Sequence, residues 1–355
     1  MHLRSFSLDL TTPLGTANGP INQREGFLVG VDATDGGAPA LGVGEATPLP
    51  GWTESLSACE SALRDARSTS NVAGLAEVIA GIDPASTPAA RHGVALSLAD
   101  ATARDAGRSL STQLAADHGL QTPAATVPVN ATIGDGSPAV TVREAEQAVE
   151  AGFDCLKLKV GARPLDDDLD RLRSVREHVG DGVALRVDAN GAWDRETAAR
   201  AVDSLGPLDL EYVEQPLPAD DLSGAAVLRT ETPIQIALDE SLASHGLSAI
   251  LEAGAADMVV LKPMALGGPD RALAAALHAR EAGVDPVITT TIDAVVARTA
   301  AVHVAAAIPD IDTSGLATGP LLAEDLAADP CPVERGTISV PEGIGLAGGS
   351  FDRLR

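Results

Sequence analysis

Residues 3–10 alternate apolar and polar positions at the two-residue period of a half-buried strand, and roughly 26–32 and 40–46 likewise read as strands. Turn-rich segments such as Asp35-Gly36-Gly37 separate them, so the pattern predicts an antiparallel meander. Residues 11–24 carry Gly15, Gly19 and two prolines and read as a long mobile loop of the kind that closes over a site. From residue 53 to about 120 the chain turns Ala-rich, with apolar positions at helical spacing in 55–63 and 94–101. Strands followed by helices make an α+β unit, expected over residues 1–120.

After Pro123 the pattern changes. Short apolar runs near 127–130, 155–159, 184–188, 210–214, 234–239, 258–262, 286–291 and 313–316 alternate with helical stretches. Eight strands at a βα period predict an α/β fold, a parallel barrel over residues 121–321. Beyond Leu321 the pattern returns to loop and short strand, clearest at 336–341, and residues 322–355 are expected to pack back on the N-terminal unit. Internal repeats beyond the βα period and low-complexity tracts are absent.

Lys159, Asp188, Glu214, Asp239 and Lys262 each close an apolar run, at successive separations of 29, 26, 25 and 23 residues. That is about one βα unit per step, so all five belong at the C-terminal mouth, the face on which such barrels carry their sites. Any one of these carboxylates alone would read as a helix cap or a turn residue. Three converging carboxylates repel unless a hard cation neutralises them, so Asp188, Glu214 and Asp239 are expected to hold Mg²⁺, with Mn²⁺ as the alternative. Asn190 is expected to support that shell, and alternation along the strand sends Glu240 away from it.

Composition sharpens the mouth. Of 25 Lys and Arg residues only three are lysine, namely Lys157, Lys159 and Lys262. Arginine stays protonated, whereas a lysine can lose its proton and act as a base. The expected chemistry is removal of a proton α to a carboxylate, with Lys159 as base, Lys157 on the same face tuning it, and Lys262 opposite as second acid/base or stabilising cation. The partner is then a small carboxylate, and a homo-oligomer is left open.

The net charge of −25 and pI near 4.5 argue against nucleic acid and anionic membranes as partners. They also suit a halophilic protein, kept soluble where salt screens self-repulsion. Cys59, Cys155 and Cys331 form no CxxC pattern and read as reduced thiols in a cytoplasmic protein. No long apolar run marks a signal peptide or transmembrane span. His278 and His303 lie in Ala-rich helices and read as surface or packing residues.

Lys157-Leu158-Lys159, Asp188-Ala189-Asn190, Glu214-Gln215-Pro216, Asp239-Glu240-Ser241 and Lys262-Pro263, with 42–50 near the N-terminus, together resemble the motifs of the enolase superfamily, muconate-lactonizing-enzyme subgroup. The resemblance covers nearly the whole chain and implies a modified TIM barrel, (β/α)7β, with an α+β capping domain. Residues 289–293 hold no histidine. Thr290 and Thr291 look like the serine-rich strand-seven segment that holds the succinyl carboxylate in o-succinylbenzoate synthases, 314–322 is similar to a later stretch of them, and Arg24 matches an arginine common near the substrate. The resemblance thus implies a lyase that eliminates water to form o-succinylbenzoate in menaquinone synthesis. Asp310-Ile311-Asp312 is similar to the D-x-D with which dipeptide epimerases bind an ammonium group. That activity, N-acylamino-acid racemisation and muconate-type cycloisomerisation remain the alternatives.

Overall fold

A computed structural model describes residues 1–15, 20–33, 40–70 and 74–355. Its N-terminal unit is an antiparallel sheet of β1 (His2–Leu14), β2 (Ile21–Ala33) and β3 (Ala40–Ala46), in that order. Helices α1 (Leu56–Thr69), α2 (Leu75–Gly81), α3 (Pro88–Asp105) and α4 (Leu110–Asp117) follow. Glycine allows α3 to lie directly on β3. A Cβ on Gly42 would stand 1.9 Å from the Ser97 carbonyl oxygen, and one on Gly44 2.0 Å from that of Gly93.

Residues 11–14 and 21–24 are strand, not the loop expected, and 16–19 lie outside the described residues. β1 continues to Leu14 and β2 starts at Ile21, with Leu8 opposite Arg24 and Leu14 opposite Ile21. β1 is an edge strand, where Pro13 removes no interior ladder bond. Gly19 and the Asp35-Gly36-Gly37 turn lie outside the described residues.

β4 (Thr126–Pro128) precedes the barrel. The barrel itself is a seven-stranded parallel sheet of β5 (Ala131–Ile133), β6 (Cys155–Lys159), β7 (Ala184–Asp188), β8 (Leu210–Glu214), β9 (Gln235–Leu238), β10 (Met258–Leu261) and β11 (Asp285–Ile288), neighbours in sequence being neighbours in the sheet. The first ladder-paired barrel strand therefore begins at Ala131, while Val127 and Pro128 lie in β4, an outermost strand where a residue without an N–H is tolerated. The expected strand at 313–316 is reduced to two parallel bridges, Val129 with Ser314 and Thr289 with Gly315, and these close the ring. Tyr212, Ala237, Met258, Val260 and Val287 form one cluster of inward-facing side chains.

Helices α5 (Pro138–Glu150), α6 (Leu165–Val179), α7 (Arg195–Leu205), α8 (Leu222–Glu231), α9 (Glu240–His245), α10 (Leu247–Ala253), α11 (Pro263–Leu266), α12 (Pro269–Glu281) and α13 (Val295–Ala307) surround the sheet. All of α13 is buried, in keeping with its lack of a polar face. Its His303 is a satisfied core residue: Nε2 donates to the Leu346 carbonyl at 2.6 Å and Nδ1 accepts from the Ser111 N–H at 3.2 Å.

The C-terminal segment divides its contacts. Ala323 bonds back to Asp9, and Leu346 to Asp100, both in the N-terminal unit. Its strand β12 (Val333–Glu334) pairs with β13 (Thr337–Ser339), and β13 with β4, so the run 336–341 belongs to a small sheet beside the barrel and not to the capping sheet.

Candidate active site

One cavity of about 640 Å³ opens at the C-terminal ends of the barrel strands and is covered by residues 14–15 and 49–52 of the capping unit. β6 alternates Lys157 and Lys159 into it while Leu156 and Leu158 pack outward in the core. The parallel register sets Lys159 beside Asp188 and Asp188 beside Glu214. Asp239 and Lys262 follow the last residues of β9 and β10 into the same cavity. The structure thus brings together all six residues expected to bind metal or move protons.

Each acid is paired with an amine. Lys157 Nζ donates to Glu214 at 2.9 and 3.1 Å and to Asp188 Oδ2 at 3.1 Å; Lys159 Nζ donates to that same Oδ2 at 2.6 Å. Lys262 Nζ spans both oxygens of Asp239, at 2.5 and 2.6 Å. Asp188 and Glu214 are 1% exposed and Asp239 5%. Burial opposes every one of these charges. Around Lys157, Glu214 and Asp188 more than offset it and hold the ammonium well above its ordinary value. Burial likewise opposes the Asp188 charge, but Lys157 and Lys159 hold its carboxyl below the usual range. Glu214 is pushed up to about 7 by burial and then by Asp188, against the pull of Lys157. Asp239 is pushed up to about 6 by burial, with Lys262 opposing.

Asp188, Glu214 and Asp239 offer only hard carboxylate oxygens, a donor set that fits Mg²⁺ or Mn²⁺. As they stand, the lysines take those oxygens, and among the described residues no three acidic, His or Cys side chains are grouped to hold a metal.

Asn190 adopts φ 45°, which Asn tolerates, and joins three of these groups. Its N–H donates to Asp188 at 3.0 Å, its Oδ1 accepts from Lys159 at 2.9 Å and its Nδ2 donates to Glu240 at 3.0 Å. Glu240 itself lines the cavity, contrary to the expectation from alternation. β9 has ended at Leu238 and Glu240 opens α9, so the two-residue period no longer applies. Two further residues were not read from the sequence. The Trp52 ring lies 3.1 Å from Lys262 Nζ, a cation–π contact supplied by the capping unit. Gln215 is 1% exposed, and its Oε1 accepts from the N–H groups of Asp239 and Ser241, which fixes the chain beyond β9.

The expected substrate-binding residues fare differently. Arg24 is on β2, 3% exposed, and donates to the carbonyls of Ile292, Pro48 and Thr47, so its guanidinium braces the loop after β11 from behind and does not line the cavity. Thr290 and Thr291 both line it. Thr291 donates to buried Asp293 at 2.5 Å, whereas the Thr290 hydroxyl meets that of Thr318 at 3.0 Å. Asp310 and Asp312 precede the closing bridges, at the opposite end of the barrel, where Asp312 lies 3.9 Å from Arg186.

A second buried carboxylate joins the two units. Glu45 is fully buried; its oxygens accept from the N–H groups of Ala294 at 2.8 Å and Ala297 at 2.9 Å, capping α13, and from the Thr47 hydroxyl at 2.5 Å. Burial, and then Asp293, push it up to about 7.

Three acids on successive strands, flanked on both sides by amines at the mouth of a βα barrel and closed by an α+β cap, define an acid–base enzyme of the barrel class. Residues 140–349 match the family described as Enolase C-terminal domain-like, and the chain belongs to it, in the muconate-lactonizing-enzyme subgroup of the enolase superfamily. It is 38% identical over 220 residues to the o-succinylbenzoate synthase of Thermobifida fusca, a stretch covering 61% of this chain and 67% of that one. It is 30% identical to the L-Ala-D/L-Glu epimerase of Bacillus subtilis, covering 98% and 95% of the two chains. The solved substrate-liganded complex of that epimerase superposes with a TM-score of 0.86 at 27% identity over 98% of this chain and 97% of the other. A dipeptide epimerase from Enterococcus faecalis, solved with Mg and the dipeptide L-Leu-L-Tyr, gives 0.86 at 26% identity over 98% of each chain.

Proposed function

We propose that the chain dehydrates a cyclohexadiene carboxylate to o-succinylbenzoate, the step of menaquinone synthesis its sequence resembles. One observation supports this over dipeptide epimerisation. The acids lining the cavity are Asp188, Glu214, Asp239 and Glu240, while the strand-seven side offers threonine hydroxyls and the Asp310/Asp312 pair lies at the other end of the barrel. That side suits a carboxylate or carbonyl of the substrate's tail and offers an ammonium group no counter-charge.

Asp188, Glu214 and Asp239 would hold Mg²⁺, which when bound supplies a Lewis acid for the substrate carboxylate. Lys159 Nζ takes the proton α to that carboxylate, breaking the C–H bond. The C–O bond on the same face then breaks, and the hydroxyl leaves as water with the proton returned by Lys159. Lys262, opposite, faces the negative charge that develops between these steps, and Trp52 keeps its ammonium in place. The Thr290 hydroxyl donates to the succinyl tail.

Lysines on two sides of one cavity also support racemisation of an N-acylamino acid, in which one amine removes the proton and the other returns it on the opposite face. Incubation with Mg²⁺ in high salt, in parallel with the o-succinylbenzoate precursor, a dipeptide and an N-succinylamino acid, separates these readings. The expected outcome is aromatic product from the first substrate. Deuterium incorporation into the N-succinylamino acid without dehydration of the precursor would favour racemisation, and turnover of the dipeptide alone would overturn both.

A further inference from the structure

Behind Lys159, away from the cavity, α6 carries a buried ion pair that the chemistry above does not use. Arg171 and Asp168 are 0% and 1% exposed, 2.8 Å apart. Arg171 Nη2 also donates to the backbone carbonyl of Lys159, and Nη1 reaches the Gly134 carbonyl and the Thr141 hydroxyl, each at 3.4 Å. Asp168 Oδ2 accepts from the Gly161 N–H at 2.7 Å. The pair therefore brackets residues 159–161 and ties the end of β6 to that of β5.

The local reason is the length of β5. It ends at Ile133, opposite Leu158, so no strand residue remains to serve the Lys159 carbonyl and Arg171 supplies the donor. Gly161 has φ 91°, and a Cβ there would lie 2.7 Å from that of Ala192, so the exit from β6 has little freedom. Stability alone is a poor reason for such a pair. Desolvating two ions often costs as much as their attraction returns, and here Arg171 Nε has no partner.

We propose that Arg171 and Asp168 are positioning residues for Lys159: they fix the strand end from which it projects and thereby set where its amine meets the substrate. The kinetic part rests on Lys159 being the base. With only three lysines in the chain, protein labelled with ¹³C at lysine Cε gives one resonance per lysine, assignable through Lys159→Arg. In the double variant Asp168→Asn/Arg171→Met both charges leave together, and the new amide oxygen still accepts from Gly161. We expect the Lys159 resonance to shift while that of Lys262 stays, and kcat to fall about tenfold to a hundredfold with KM changed less than about threefold. Asp168→Asn/Arg171→Gln keeps a donor toward the carbonyl and should recover part of the loss; if the first variant does not fold, this one is read against wild type in the same way. An unmoved Lys159 resonance in a folded variant, whatever kcat does, overturns the proposal. If Lys159→Arg keeps turnover, the base reading falls, and the resonance still decides whether the pair positions the lysine.

Discussion

Glu45 makes the stability of this protein depend on pH in a way one substitution isolates. Its carboxyl is fully buried and pushed up to about 7 from 4.5, first by burial and then by Asp293. Between those two pH values the folded chain keeps a proton that the unfolded chain has lost. The contribution is therefore fully present below pH 4.5 and lost as pH rises through about 7. At about 1.4 kcal/mol per tenfold change in proton affinity, that interval is worth about 3 kcal/mol. Glu45→Gln removes the titration and also one acceptor, leaving the Ala297 N–H without its partner at a pH-independent cost of about 1–2 kcal/mol. Urea unfolding followed by circular dichroism at fixed ionic strength, in steps from pH 5 to 8, gives the difference between the two proteins. The variant should be the weaker at pH 5 and gain on wild type by about 3 kcal/mol toward pH 8. Two parallel curves would refute the reasoning, because the constant cost cancels and only the titration tilts the difference.

Lys159→Arg keeps the charge and removes the base, so turnover should drop about 10²- to 10⁴-fold with unchanged circular dichroism; retained turnover would contradict the mechanism. Glu214→Gln should abolish the heat of Mg²⁺ binding in calorimetric titration, and undiminished binding would remove Glu214 from the metal shell. Trp52→Ala removes a cation–π contact worth about 1–2 kcal/mol at Lys262, and steady-state kinetics should show kcat down about tenfold or more. Because the net charge is −25, raising salt from about 0.1 to 1 M, which shortens the screening length from about 10 to 3 Å, should raise the thermal midpoint; an unchanged midpoint would argue against halophily.

The strand-end residues were legible because two periodicities coincide on them: the apolar run marks the strand, and the βα repeat says which end faces the site. What failed was local. Residues 127–130 read as one barrel strand, but Val127 and Pro128 belong to a minor sheet, and only Val129 and Asn130 reach the barrel, through Ser314. Pro13 and Gly15 look like loop punctuation, yet an edge strand accepts the proline. Glu240 was misplaced by carrying alternation two residues past the end of β9. The tasks of Arg24, Gln215 and Arg171 depend on groups distant in sequence or on backbone carbonyls, for which residue type carries no pattern.

The placement of the lysines has a chemical corollary. Lys157, Lys159 and Lys262 all line the cavity, with side chains 15%, 34% and 8% exposed, so apart from the chain's own N-terminal amine the exterior presents no primary amine. Acylating agents, aldehydes and amine-coupled supports therefore find no lysine on the exterior to react with. Any lysine adduct that forms on this protein is an adduct of the cavity, and substrate should protect against it.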